Sequence, residues 1–458
     1  MKKEGLRHFV TTLRARADRF VADHPNVKTI VTNIGWLSFD TILRMVVGLF
    51  IATWVARYLQ PSYFGELNYA LAIVALLGAP AGLGVSDIVV RDIVNGSEQA
   101  ATLLGTALFN RLAAALVFYA GIVVYAWELP NPLTRQLLLI SGLALCIQAL
   151  TVFGLRFKAD LRSKLLVIAG NVGFAVSALY RVYLVLARRP VVEFAWVAIV
   201  EAAAGALMMM VLYSKSYADL SRWRFCFRTA KQLLGQSWPL ILSAIAVTTY
   251  MRIDQIMIAQ MLGTTQVGLY AAATKLSEIT YVIPAILAGA LFPSVVRSKS
   301  LGPERYAARM QGYFDVSAGL AYLIVIPCVL VSPLLIHLLY GKEYQSSAGI
   351  LTIQIWALLF VSLGVAREQF LVAEGHLKLS FVSTSLGAIL NIAINLLLIP
   401  RYGAAGAALA TVLTQCIVVM MPPLLYTPTR QMSLQLFRAI LLPLRSRSLL
   451  RAKNILTV

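Results

Sequence analysis

Four charges lie inside apolar sequence in the stretch 237–296: Arg252 and Asp254 in one run, Lys275 and Glu278 in the next, with the turn Gly263-Thr264-Thr265-Gln266 between them. Each run can cross a bilayer, because a helix of roughly 20 mostly apolar residues spans about 30 Å of hydrocarbon. At about 1.5 Å per residue the four charges fall some 12 to 18 Å from the turn, near the midplane. A charge there costs on the order of 2.5 to 3.5 kcal/mol unless water or a partner receives it, so four in one hairpin imply a polar interior. Two chemistries fit. Arginine and lysine can hold a phosphate or diphosphate, arginine through paired hydrogen bonds from its planar fork. Carboxylates at the same depth can carry a proton or a sodium ion.

By depth, Arg44, Arg252 and Lys275 are the central cations. Arg111, about 10 Å from the inner face at helical rise, is placed to receive a diphosphate from that leaflet. Arg181 and Arg367 lie near the outer and inner faces, where snorkelling accounts for them. The interior acids Asp40, Glu201, Asp254, Glu278, Asp315 and Glu368 are about as numerous as the cations, so counting alone does not set the sign of the interior. The competing reading of each charge is a structural ion pair: Asp40 with Arg44 at i, i+4 on one helical face, and Asp254 with Lys275 and Arg252 with Glu278 at matched depths. Glu201 has no such partner and is the first acid to test for coupling to H+ or Na+, with Asp254, Glu278 and Asp40 as further candidates.

The elements that must position these residues are all helical. The chain has 458 residues, 59% hydrophobic and only 13% charged, the composition of a polytopic membrane protein. Apolar runs predict twelve spans, near 34–58, 63–85, 104–127, 137–155, 165–187, 191–213, 237–262, 267–296, 312–340, 348–373, 379–400 and 403–426. The expected organisation is a basic amphipathic segment 1–33, a six-helix bundle 34–213, a basic cytosolic linker 214–236, a second six-helix bundle 237–426 and a basic cytosolic tail 427–458. With residues 1–33 inside, the inner connections hold 28 Lys and Arg and the outer ones 5. That asymmetry places both termini in the cytosol by the positive-inside rule. It also accounts for most of the formal charge of +20 without a nucleic-acid partner. Residues 1–28 contain no apolar core of a cleaved signal, but Leu6, Phe9, Leu13, Ala17 and Phe20 recur at helical spacing, as on an amphipathic helix at the inner leaflet. In the tail, Leu434, Phe437, Leu441 and Leu444 lie among Arg438, Arg445, Arg447 and Arg451, which fits either a similar helix or a disordered basic anchor.

Other chemistries find little support. Cys146, Cys226, Cys328 and Cys416 have no metal-like spacing and the four histidines are scattered, so no metal site is expected. No phosphate-binding loop of the Walker type occurs, which argues against direct ATP hydrolysis. The outer loops are too short for the catalytic loop of a polytopic glycosyltransferase or ligase. A weak internal repeat sets residues 56–65 beside 259–268, matching Ala56 with Ala259, Leu59 with Leu262 and Gly65 with Gly268 at a constant offset of 203. Six spans separate the copies, so the halves keep one orientation and form parallel repeats, an arrangement whose substrate sites lie between the halves near the midplane. Gly78 to Gly84, Pro284 to Gly289, Pro327 and Pro333 interrupt helical hydrogen bonding and mark bending points or static kinks. Asn391 and Asn395, four apart, suit interhelical hydrogen bonds better than sugar contacts.

The run from Ile253 through Glu278, followed by Pro284 and Leu291-Phe292-Pro293, resembles spans 7 and 8 of Wzx-like polysaccharide flippases in the multidrug/oligosaccharidyl-lipid/polysaccharide exporter superfamily. So do Asn391 through Ala408 and the early segment Arg57-Tyr58-Leu59 to Phe64-Gly65. The resemblance covers about residues 30–426, and the order and spacing of its motifs carry more weight than any one of them. It implies a transporter of two six-helix bundles in the bacterial inner membrane, not an enzyme. Its cargo would be an undecaprenyl-diphosphate-linked oligosaccharide, an O-antigen or exopolysaccharide repeat, with polysaccharide polymerase and glycosyltransferases as working partners. The two additional C-terminal helices of fourteen-helix lipid II flippases have no counterpart here, which argues against a peptidoglycan precursor. A drug or organic-cation antiporter of the same superfamily is the alternative, and its cavity would be dominated by acids.

Overall fold

The computed structural model describes residues 25–96, 100–217 and 220–444, with side chains from residue 43 onward except that of Leu377. The expected amphipathic helix over residues 6–20, the side chain of Asp40 and the basic residues beyond 444 lie outside the described residues. The chain divides into two compact units, 1–48 and 49–458. The described part of the first is a helix from Pro25, in which Arg44 is half-buried and engaged in a contact of its own.

Helices make up nearly all of the rest, and the described residues contain no strand. Apolar sequence in lipid leaves backbone groups no water to bond, so they must close on themselves within each segment. The N-terminal half holds α1 (Pro25–Gly78), α2 (Val85–Val94), α3 (Ala100–Glu128), α4 (Pro132–Gln148), α5 (Phe153–Ala159), α6 (Ser163–Leu186), α7 (Val191–Phe194) and α8 (Trp196–Ser216). The C-terminal half holds α9 (Phe227–Leu262), α10 (Thr264–Ile279), α11 (Val282–Arg297), α12 (Pro303–Tyr340), α13 (Ser347–Gln354), α14 (Ala357–Ala373), α15 (Leu377–Leu425) and α16 (Arg430–Ile440). Among the described residues, ten helical segments are long and apolar enough to cross a membrane. Two of them, Leu43–Val94 with 52 residues and Lys378–Leu425 with 48, exceed one crossing. Each contains a non-helical break, at Gln60 and at Gly403. The expected spans 1 and 2, and 11 and 12, therefore run together as helix with a break rather than a loop between them.

The internal repeat has a structural counterpart. Gln60 (φ 59°, ψ 169°) and Gly263 (φ 88°, ψ 167°) share one unusual backbone conformation at the offset of 203. Beyond each break the helix crosses its repeat mate: a Cβ on Gly65 would overlap the carbonyl oxygen of Thr264, and a Cβ on Gly268 that of Pro61. Pro61 and Thr264 are themselves separated by 203, so the two contacts are reciprocal, as a two-fold relation between the halves requires. Glu66, buried next to this crossing, accepts hydrogen bonds from Thr264 Oγ1 at 3.0 Å, Asn131 Nδ2 at 2.9 Å and Thr134 Oγ1. The Tyr344 hydroxyl donates to the Ala56 carbonyl at 2.8 Å, and Arg57 donates to that of Leu338. One end of the molecule is thus closed by contacts between the halves.

At the opposite end, the connection between the halves is seated on the N-terminal one. The Trp223 ring stacks on Phe153 at 4.9 Å and its Nε1 donates to Tyr213 at 3.1 Å, while the Cys226 amide donates to Thr106 Oγ1 at 3.1 Å. Helix α9 starts there, with Arg91 donating to Gln236 at 2.7 Å, and reaches the C-terminal half by Asp254. Helix α16 buries Met432, Leu436 and Ala439 against α12 and α15. The apolar residues singled out from the tail sequence, Leu434, Phe437, Leu441 and Leu444, point away from the protein.

Candidate functional site: charges at the junction of the halves

Arg252 and Glu278 approach to 3.9 Å, the pair expected from their matched depths. The other expected pair does not form. Asp254 is 4% exposed and its carboxylate accepts from the Tyr270 hydroxyl at 2.7 Å, Asn395 Nδ2 at 2.6 Å and Thr411 Oγ1 at 2.8 Å. Two residues along a helix is a turn of about 200°, so Arg252 and Asp254 leave α9 on nearly opposite faces. Depth read from sequence carries no information on that angle. Asn395 also donates to Asn391 Oδ1 at 3.0 Å, so the two asparagines serve as interhelical hydrogen-bonding groups that lock α15 to α9.

Lys275, freed of Asp254, makes no hydrogen bond or ion pair among the described residues. The charges of Arg181, Glu278 and Arg252 act on it. Arg181 belongs to α6 of the N-terminal half, so Lys275 feels charges from both halves. Arg181 reaches Glu201 of α8 at 3.2 Å, and Glu201 also accepts from Ser177 at 3.0 Å. One sequence expectation is corrected here, since Arg181 does not snorkel. Glu201, without a local partner, finds one on a neighbouring helix that local spacing could not identify. The close passage of α6 and α8 depends on small residues, since a Cβ on Gly173 would meet the Glu201 carbonyl at 2.8 Å.

Arg181, Arg252 and Lys275 with Glu201 and Glu278 form one charged cluster carrying three cations and two carboxylates, a formal excess of one positive charge. Counted along α9 and α10, Arg252 and Lys275 lie about 16 Å and about 18 Å from Gly263 at 1.5 Å per residue, at mid-membrane depth. Both of its ion pairs are partly exposed, Arg252 and Glu278 at 35% and 26% and Arg181 and Glu201 at 28% and 44%. Water or a ligand can therefore reach them. The arrangement can bind an anion between the halves without first breaking a buried network.

The remaining predicted residues lie elsewhere. Arg111 stands on α3 in a small cavity of its own, and Arg44 belongs to the first compact unit. Arg367 is buried and donates to the Val418 carbonyl at 2.6 Å, so it pins α14 to α15 instead of snorkelling. Asp315 accepts from Gln311 at 2.7 Å and Glu368 accepts from Ser380, both structural contacts. Sequence reasoning missed Glu66 as an interior acid, although its place one residue after the repeated Gly65 was a usable signal. A cavity of about 500 Å³ between α12, α14 and α16, bordered by Tyr306, Phe370, Glu374 and Gln431, shares no residue with the cluster.

Residues 54–349 match the family described as "Polysaccharide biosynthesis protein". The "Probable low-salt glycan biosynthesis flippase Agl15" of Haloferax volcanii is 22% identical over 371 residues, 79% of this chain and 76% of that one. A provisionally named O-antigen transporter of Shigella flexneri is 22% identical over 405 residues, covering 83% and 94% of the two chains. Among solved structures, the lipid II flippase MurJ in an inward closed conformation superposes with a TM-score of 0.68 at 14% identity, over 91% of this chain and 95% of that one. An inward-facing multidrug MATE transporter gives 0.67 at 13% identity, over 86% and 96%. Likeness at that identity establishes the fold. The family match, which spans more than half of the sequence, establishes the relationship: this chain is a multi-pass membrane protein of the polysaccharide biosynthesis protein family.

Proposed function

We propose that the protein is a flippase for undecaprenyl-diphosphate-linked oligosaccharides, carrying O-antigen or exopolysaccharide repeats from the inner to the outer leaflet of the bacterial cytoplasmic membrane. The observation that carries this reading is Lys275, an unpaired cation at mid-depth that shares its surroundings with Arg252 and with Arg181 of the other half. A diphosphate brings two or more negative charges into lipid and needs cations that are not already committed to carboxylates. Arg252 at 3.9 Å from Glu278 is loosely held and can turn to a phosphate, with which its fork makes paired hydrogen bonds. Arg44, in the first compact unit, stays a candidate cation from its depth in the sequence. The sugar follows the polar path between the halves while the prenyl chain remains in lipid.

With both termini inside, the end closed by Gly65, Gly268, Glu66 and Tyr344 faces outward. Release to the outer leaflet then requires those contacts to part, with the halves moving as units. The coupling ion, H+ or Na+, is assigned to Asp254. Its buried carboxylate accepts hydrogen bonds from Thr411, Tyr270 and Asn395, and among the described residues the buried amide oxygen Asn395 Oδ1 has no hydrogen-bond partner. Oxygen donors of this kind suit a hard cation. Glu201 and Glu278 are less suited, because each is already paired with an arginine. Glycosyltransferases would supply the cargo and a polymerase would consume it.

A drug or organic-cation antiporter would use a site with excess carboxylate, and the excess here is positive. Substituting Arg44 and Arg252 with alanine in cells that depend on this chain for surface polysaccharide tests the reading. Export should collapse while the protein still reaches the membrane. Export that survives, accompanied by efflux of cationic dyes, would favour the antiporter.

A further inference from the structure

Arg111 is the one cation proposed from sequence that the structure leaves in a separate enclosure. It projects from α3 into a cavity of about 120 Å³ bordered by Gly78, Ala81 and Gly82 of the broken helix on one side and by Leu145, Gln148 and Ala149 on the other. All lining residues come from the N-terminal half, so the cavity is independent of the junction that holds Lys275. The guanidinium makes no hydrogen bond or ion pair among the described residues, and its Nε is buried without a partner.

Arg111 is half-buried, and a buried guanidinium nitrogen without a partner is costly unless an anion or water completes it. Two further features make this cavity receptive. Gln148 adds a neutral amide that can donate to an oxygen. Gly82 leaves open space where any other residue would place a Cβ. The cavity, of about 120 Å³, has room for one tetrahedral phosphate.

We propose that the Arg111 cavity binds a single phosphate group, distinct from the diphosphate of the transported lipid and resident in the N-terminal half throughout the transport cycle. The recognised chemistry is a phosphate monoester or diester, carried by a phospholipid head group or free as inorganic phosphate. Arg111 supplies the charge and the paired donors, Gln148 a further donor, and the absent side chain at Gly82 the volume. The inference does not depend on what the junction between the halves transports.

The test uses the full chain in detergent micelles without any glycan cargo. Native mass spectrometry counts retained phosphatidylglycerol against a phosphate-free diglucosyl diacylglycerol, and thermal unfolding compares inorganic phosphate with sodium chloride at equal ionic strength. A lipid source predicts one retained phosphatidylglycerol per protein, reduced about tenfold or more in Arg111→Ala and less in Arg111→Lys, which keeps the charge and loses the fork. A free-phosphate source predicts no such adduct but a rise in unfolding temperature that Arg111→Ala abolishes. Gly82→Val fills the space with Arg111 in place and should cause the same loss, so it decides the matter if Arg111→Ala fails to fold. Equal retention of both lipids together with no phosphate-specific stabilisation, or unchanged binding in the substituted proteins, would mean the cavity holds water alone and would overturn the proposal.

Discussion

Arg252 and Asp254 stand two residues apart on one helix, at one depth in the membrane, and meet opposite fates. Asp254 turns into the C-terminal half, is 4% exposed and has its oxygens occupied by donors from Tyr270, Asn395 and Thr411. Arg252 turns toward the junction of the halves, is 35% exposed and meets the carboxylate of Glu278 at 3.9 Å. A charge in lipid can be stabilised by a complete hydrogen-bonded shell within one half, or left incomplete so that something mobile completes it. The first arrangement leaves no place for a bulky ligand, and the second leaves a binding site for the diphosphate.

Substitution at each position can break this contrast. Asp254→Ala leaves the buried Tyr270 hydroxyl without its acceptor and takes one acceptor each from Asn395 and Thr411, so unfolding in detergent should lose about 1 to 3 kcal/mol. Arg252→Ala should change stability by less than about 1 kcal/mol, as for other partly exposed pairs, while export drops. Equal destabilisation by the two would erase the distinction. At the crossing of the repeats, Gly65→Ala or Gly268→Ala forces a methyl group against a carbonyl and should cost about 1 to 3 kcal/mol, read as a lower unfolding temperature. Gln60 occupies a backbone region that is essentially glycine's, as its repeat mate Gly263 confirms. Gln60→Gly should therefore stabilise the protein by on the order of 1 kcal/mol, and a loss of stability would show that the Gln60 side chain matters more than its strain.

The smallest effect concerns Glu374, in the connection between α14 and α15. Burial pushes its carboxyl up, but hydrogen bonds from Lys299 and Tyr306, with the charges of Lys299 and His376, outweigh that and hold it below the ordinary carboxylate range. A depressed folded value means the stabilisation is fully present above the unfolded value of about 4.3 and is lost as pH falls through the folded one. Acid unfolding of Glu374→Gln should lack this contribution, and identical acid profiles for the two proteins would remove Glu374 from the account.

Much of the architecture was legible in the sequence because it is written in periodicity and length. Apolar runs locate the helices, and the offset of 203 found Gln60 and Gly263 before their shared conformation was seen. Depth also paired Arg252 with Glu278 correctly, since one turn separates the two helices and fixes their register. Azimuth was not legible. The 200° between Arg252 and Asp254 follows from helical geometry, but which face meets α15 depends on packing between segments some 140 residues apart. The same reason hid the bond from Arg181 to Glu201 and the role of Arg367, whose partners sit on other helices. Glu66 was lost among residues near a turn, although three donors from separate elements converge on it.

The central claim is that the cations at the junction of the halves, Lys275 foremost, hold the diphosphate during its passage. Its most direct measurement is flipping of a fluorescent undecaprenyl-diphosphate-linked oligosaccharide in proteoliposomes, comparing wild type with Lys275→Ala and Lys275→Arg at equal protein content and equal unfolding temperature. The account predicts a rate reduced about tenfold or more by alanine, the scale of one lost charge-assisted contact, and largely kept by arginine. A Lys275→Ala protein that flips the lipid as fast as wild type would contradict it.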